Sequence, residues 1–194
     1  MLSTQPVLGK RGMVATAHYL ATHASLHILT LGGNAIDAAI AAAVAMTVVY
    51  PSTCSAAGDV FMQIWDAKTQ QLYGLDGSGC APRGLMPEYF AAQGIYEMPS
   101  RGPLSITTPG AVDGWFAALE RFGTLPPETV FAPVIALAEE GIPVSPKLNR
   151  WFTEAVEVLE PWGSSTNVFL PDGRLPKTGQ VLRQSDLARR YSYF

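Results

Sequence analysis

Leu31-Gly-Gly-Asn-Ala-Ile-Asp-Ala-Ala39 closes one helix and opens another. Gly32 and Gly33 end the first, because glycine accepts the left-handed conformation at which helices stop. Asn34 caps the second through its side-chain oxygen. Upstream, Met13, Ala17, Leu20, Ala24, Ile28 and Leu31 keep a three-to-four spacing, which predicts a helix over 13–31. Downstream, 35–48 is so rich in alanine that other elements must approach its backbone closely. That helix is expected to be covered on most of its circumference, Ala39, Ala43 and Met46 included. A glycine turn entering a helix also invites a phosphate-binding reading. The stretch lacks the G-x-G-x-x-G spacing and follows a helix rather than a strand, so neither a dinucleotide fold nor a P-loop fits.

Further along, the small residues of 51–58 form a loop. Strands are predicted over 60–66 and 71–75, joined as a hairpin by the polar turn Ala67-Lys-Thr-Gln70. Asp76-Gly-Ser-Gly-Cys80 is a second loop, followed by a short helix over 87–92 and a strand over 104–108. Pro109 opens a helix over 111–122, with Val112, Trp115, Phe116 and Leu119 on one face. Another helix spans 128–140, where Pro133 is assigned to the first turn and tolerated because an early amide lacks a helical partner. An amphipathic segment follows over 146–160, then a polar, Gly/Pro-rich surface excursion over 161–178. The whole reads as one partial domain, 1–194, without repeat or linker. The stop at Tyr193-Phe194, just past the helix-like 185–190, leads us to expect further chain.

Composition excludes several functions. The 194 residues are 48% hydrophobic and only 15% charged, enough to build a core and incompatible with disorder. Net charge is -3 and no Lys/Arg run exists to neutralise a row of phosphates, so nucleic acid is not an expected partner. Residues 38–49 form the most membrane-like segment, well short of the ~20 apolar residues a spanning helix needs. No membrane partner is expected. The first eleven residues lack the pattern of a secretory signal, which makes the cytoplasm the expected compartment, with Cys54 and Cys80 as thiols. Two cysteines alone supply neither a disulfide framework nor a four-ligand zinc site.

Few residues advertise chemistry. His23 and His27 stand four apart on a helix, the spacing of a shared metal, but Ala24 replaces the glutamate of the zinc-hydrolase motif. Half-buried or surface histidines are the preferred reading, and neither metal nor cofactor is expected. No serine sits in G-x-S-x-G. Ser78, in Gly77-Ser78-Gly79, is on chemistry alone a turn residue. Thiol catalysis by Cys54 or Cys80 needs a base that the sequence does not identify.

A family resemblance supplies what single motifs do not. Gly12-Met-Val-Ala-Thr-Ala-His18 and Ile28-Leu-Thr-Leu-Gly-Gly-Asn-Ala-Ile-Asp-Ala-Ala39 resemble the opening of gamma-glutamyltranspeptidases. So do Val49-Tyr-Pro51, Leu75-Asp76, Ala81-Pro82, Thr108-Pro-Gly-Ala-Val-Asp-Gly-Trp115, Phe122-Gly-Thr-Leu-Pro126, 133–138 and Glu140-Gly-Ile-Pro-Val144. The resemblance implies an α/β (α+β) fold, part of the αββα four-layer sandwich of N-terminal-nucleophile hydrolases. This chain would supply the hairpin, the 104–108 strand and several covering helices. It further implies a proenzyme that cuts itself, after which the N-terminal threonine of the small subunit attacks a small-molecule amide. That threonine and the oxyanion hole match nothing here. Hence no catalytic residue is expected in this chain, and the implied partners are the remainder of the large subunit and the small subunit. Alone, the chain is expected to be inactive.

Two departures bear on substrate. Gamma-glutamyl enzymes carry an Arg-Glu pair just before Ala-Pro, and the arginine grips the substrate α-carboxylate. Ser78 and Gly79 stand at those positions. The Gly-Ser-Gly form resembles a cytosolic branch that includes oxamate amidohydrolase and glutathione-hydrolase-like proteins. Ser78 is therefore expected to face the substrate cavity, and Arg101 is the candidate replacement cation, against the plainer reading of a surface arginine. The second departure is Ser55-Ala-Ala-Gly-Asp-Val-Phe61, where Ala56 and Ala57 stand in a usually glycine-rich run. The parent could thus be an oxamate amidohydrolase rather than a glutathione hydrolase, or the chain a truncated non-catalytic product.

Overall fold

A computed structural model describes residues 7–194, which fall into two compact units. The first comprises the described residues up to Cys54 together with Gly123–Phe194, and the second is Ser55–Phe122.

The first unit is helical. Helix α1 (Tyr19–Thr30) packs on α2 (Ala35–Val49), and α5 (Pro127–Glu140) packs on both. The turn between α1 and α2 is as expected: Gly32 has φ 93°, and the Asn34 side chain accepts from the amides of Ile36 and Asp37. Ten of the fifteen residues of α2 are buried, so the alanine-rich helix is indeed enclosed by its neighbours. Its open stripe is not the expected one, however. Ala39 is exposed and Ala43 and Met46 only partly covered, while Ala41, Val44 and Ala45 are fully buried. A helix this rich in alanine and aliphatic residues carries no polar stripe to reveal which side faces out.

Helix α1 begins at Tyr19 rather than near Met13. His18 is extended (φ -140°, ψ 132°), and its Nδ1 accepts from the Leu20 amide at 3.3 Å. Thr16 Oγ1 holds the His18 carbonyl at 2.7 Å. This cap stops the helix although the apolar spacing continues upstream. Pro133 lies in the second turn of α5, not the first, and removes the N–H that the Thr129 carbonyl would accept. The remaining elements of the unit are β3 (Ile142–Pro143), α6 (Pro146–Leu159), α7 (Gly163–Phe169), β4 (Val181–Leu182) and α8 (Ser185–Tyr191). Strands β3 and β4 pair antiparallel, and α7 with a 3₁₀ turn at Pro171–Gly173 occupies what reads in sequence as an irregular excursion. Two-residue strands and a helix of about two turns are too short for periodicity to register.

The second unit is built on the hairpin of β1 (Val60–Asp66) and β2 (Gln71–Gly77), in register from Val60↔Gly77 to Asp66↔Gln71. Asp66 organises the turn by accepting from the Lys68 amide and the Thr69 hydroxyl. Helix α4 (Ala111–Phe122) lies on one face; a Cβ on Gly114 would meet Val60 Cγ1 at 2.5 Å, so glycine permits the close approach. Helix α3 (Pro87–Ala92) is as expected. No strand forms over 104–108. A 3₁₀ turn at Pro103–Ser105 stands there instead, with the Ser105 hydroxyl donating to the Gly102 carbonyl and Thr107 Oγ1 to Asp59. The Ser105 hydroxyl satisfies a backbone carbonyl locally, in competition with a sheet ladder.

Candidate functional site

The loop leaving β2 carries the candidate site. Both the amide and the hydroxyl of Ser78 donate to Asp76 Oδ1, at 2.9 and 2.7 Å. The two residues are exposed, and the bonds from Ser78, hydroxyl first and then amide, hold the Asp76 carboxyl below the usual range. Ser78 is thereby oriented, and its single hydroxyl hydrogen is already engaged.

Behind Ser78 the backbone is locked by glycines. A Cβ on Gly79 would fall on the Thr108 carbonyl oxygen, and one on Gly110 would fall on the Gly77 carbonyl. The amides of Gly110 and Ala111 both donate to the Gly58 carbonyl, at 3.1 and 2.9 Å. Three segments, around Gly58, 77–79 and 108–110, thus meet at the start of α4 with no room for side chains. The Ala57 amide binds the Ser55 hydroxyl at 3.0 Å, so the alanines of that stretch sit in a side-chain-closed turn.

Arg101 is exposed just before Gly102, which has φ 95°. Among the described residues it makes no hydrogen bond or ion pair, and nothing joins it to Ser78 or Asp76. Sequence reasoning named Ser78 but missed Asp76 as the group that orients it; the Asp-Gly-Ser spacing of an Asx turn was the available signal.

The other candidates do not assemble. His18 serves as a helix cap, its imidazole pushed below its ordinary pKa by burial, and His23 and His27 are exposed. No group of three metal-ligating side chains exists among the described residues. Cys80 is exposed, and the half-buried Cys54 thiol meets the Thr53 hydroxyl at 3.7 Å. No described helix is long and apolar enough to cross a membrane.

A family model described as gamma-glutamyltranspeptidase matches residues 21–193. The glutathione hydrolase proenzyme of Bacillus subtilis (strain 168) is 35% identical over 189 residues, covering 95% of this chain and 32% of the relative. The oxamate amidohydrolase proenzyme of Klebsiella pneumoniae subsp. pneumoniae is 34% identical over 183 residues, covering 91% of this chain and 34% of the relative. The crystal structure of Helicobacter pylori gamma-glutamyltranspeptidase superposes with a TM-score of 0.90 at 30% identity, over 97% of this chain and 55% of that one. The chain spans about a third of the length of these curated relatives.

Proposed function

Because the chain belongs to the gamma-glutamyltranspeptidase family, we propose that it is the opening part of a self-cleaving amidohydrolase proenzyme whose acyl donor is not a γ-glutamyl compound. The nucleophile is a threonine outside these residues. Its hydroxyl attacks the amide carbonyl while its own amine takes the proton and passes it to the leaving amine or ammonia. Water or an acceptor amine then takes the acyl group. The Asp76–Ser78 loop lines the acyl-donor side of the cavity, and the remainder of the large subunit and the small subunit complete it.

The observation that carries the substrate reading is the Ser78 hydroxyl bonded to Asp76. Ser78 reaches a substrate carboxylate only by giving up that bond, and Asp76 brings a like charge to the same loop. A charged two-point clamp of the kind arginine provides is absent from this loop. A glutamyl group therefore loses the grip on its α-carboxylate at this loop, and Arg101, unpaired among the described residues, is assigned the positive charge that a small acid such as oxamate needs. This favours the branch of the family that holds oxamate amidohydrolase. The test is made in the full-length enzyme with oxamate and glutathione side by side. Arg101→Ala is expected to raise KM for oxamate, and Ser78→Arg to gain glutathione cleavage. Unchanged oxamate turnover in the first, with no gain in the second, removes the assignment.

A further inference from the structure

The turn that follows Arg101 is closed on itself. Ser105 donates twice to the Gly102 carbonyl, from its amide at 3.1 Å and its hydroxyl at 2.8 Å, and the Ile106 amide reaches the Pro103 carbonyl at 3.4 Å. Among the described residues, 96–101 make no hydrogen bond, so nothing upstream fixes this turn. Downstream, Thr107 Oγ1 donates to Asp59 Oδ1 at 2.9 Å, the one hydrogen bond that leaves 101–108 for another described segment. Asp59 stands close to the candidate site. The β1–β2 ladder ends at Val60↔Gly77, so Asp59 and Ser78 are the next residues on the two strands. The Gly58 carbonyl takes the Gly110 and Ala111 amides, and Gly79 lies hard against the Thr108 carbonyl. Those backbone contacts fix the chain from Thr108 onward and stop there.

We propose, resting on the assignment of Arg101 above, that Asp59 is a positioning residue for the acyl-donor site: through Thr107 it holds the 101–108 turn and keeps Arg101 turned to the substrate carboxylate. Asp59 itself does not touch substrate. A carboxylate suits the task, because a hydrogen bond to an ionised acceptor is roughly twice as strong as one between neutral groups. A neutral hydroxyl suits it equally. An ion pair between Asp59 and Arg101 would cancel the charge that the site needs, whereas Thr107 anchors the turn and leaves the guanidinium unpaired. Both partners are exposed, so water competes for the bond. Breaking it frees the turn to swing about Thr108 and leaves the hairpin and α4 in place.

Two measurements test this. In the full-length enzyme, Asp59→Ala and Thr107→Val should each raise KM for oxamate by roughly threefold to tenfold with kcat little changed. The double variant should be no worse than either single one, because both break the same bond. Asp59→Asn keeps an acceptor and should restore most of the loss, and Asp59→Ala should add nothing once Arg101→Ala is present. In the 194-residue chain, trypsin should cut the Arg101–Gly102 bond roughly threefold to tenfold faster after Asp59→Ala, since cleavage follows the population of the opened turn. Unchanged KM in Asp59→Ala, additive losses in the double variant, a KM effect that persists without Arg101, or an unchanged cutting rate overturns the proposal. If Arg101→Ala raises KM and Asp59→Ala does not, the substrate assignment survives and the role of Asp59 falls. If Arg101→Ala leaves oxamate kinetics unchanged, the substrate assignment falls and takes the role of Asp59 with it, and the cutting rate alone judges the tether.

Discussion

Asp37 is fully buried on the first turn of α2 and makes no ion pair among the described residues. It is held by donors instead. The Asn34 amide reaches Oδ2 at 2.8 Å, the Thr124 amide bridges both oxygens at 3.1 and 3.2 Å, and the Thr124 hydroxyl donates at 2.6 Å. One side chain therefore completes the cap of α2 and fastens the turn that leads into α5. Asp37→Ala leaves the half-buried Asn34 amide and both donors of the exposed Thr124 without their shared acceptor, and about 1–3 kcal/mol of stability should be lost in urea titrations. Asp37→Asn keeps one acceptor and should lose less. His18 behaves differently because its cap needs an unprotonated Nδ1. Burial sets its folded pKa below the unfolded value of ~6.5. Its contribution is thus complete above ~6.5 and is lost as pH falls through that value toward the folded one. His18→Asn keeps a capping oxygen and should flatten this acid limb, by an amount within the ~0.5–2 kcal/mol of an N-cap. Asn34 and its capping role were readable in the chain, since a cap acts over three residues. The Asp37–Thr124 clamp was not, because 87 residues separate its partners.

Helix α8 is bound into the first unit by polar contacts as much as by packing. Thr47 Oγ1 donates to the Val44 carbonyl at 2.7 Å, so the Tyr191 hydroxyl is the donor in the 2.6 Å Thr47–Tyr191 bond. Gln184 Nε2 adds a bond to the Val48 carbonyl at 2.7 Å, and the Tyr191 ring meets Phe131 edge-on. Tyr191→Phe keeps the ring and leaves Thr47 its own acceptor, so about 1 kcal/mol should be lost; Tyr191→Ala, which empties a fully buried site, should cost about 3–5 kcal/mol. Burial also pushes the Tyr191 hydroxyl up to about 12. A raised acid pKa gives stability that is whole below the unfolded value of ~10 and lost as pH climbs toward the folded one. Wild type should therefore show an alkaline loss of stability between about pH 10 and 12 that Tyr191→Phe diminishes. A helix-like stretch over 185–190 was legible from its local pattern, and the observed helix runs one residue further, to Tyr191. That its tyrosine closes a buried network with α2 was not.

Across the molecule, the Asp76–Ser78 loop and the apolar hairpin face of Phe61, Trp65 and Leu72 stand open among the described residues. Purified alone, the chain should neither release ammonia from oxamate nor cleave γ-glutamyl anilides, because the proposed nucleophilic threonine lies outside it. It should also bind a hydrophobic dye such as ANS, and Trp65→Ser should reduce that binding. Turnover abolished by a single substitution within the chain would contradict the first expectation; dye binding indifferent to Trp65 would contradict the second.

The limits of α2, the hairpin and its turn, α3, α4 and the family itself were all decided by neighbouring residues. Caps, turns and two- or four-residue periodicities act over distances shorter than the elements they specify, so they are written locally. Contacts between distant segments decided the rest. Thr107 turns to Asp59, 48 residues away, where a strand was expected; the His18 cap that stops α1 six residues inside its apolar pattern is local, and the apolar spacing masked it. The exposed side of α2 could not be read from alanines that are alike on every face. Ser78 was visible as a position in a loop, but the engagement of its proton by Asp76 and the collision awaiting any side chain at Gly79 depend on how 77–79 crosses 108–110. Hydrogen-bond direction and steric room are properties of segments brought together in space, and no local pattern carries them.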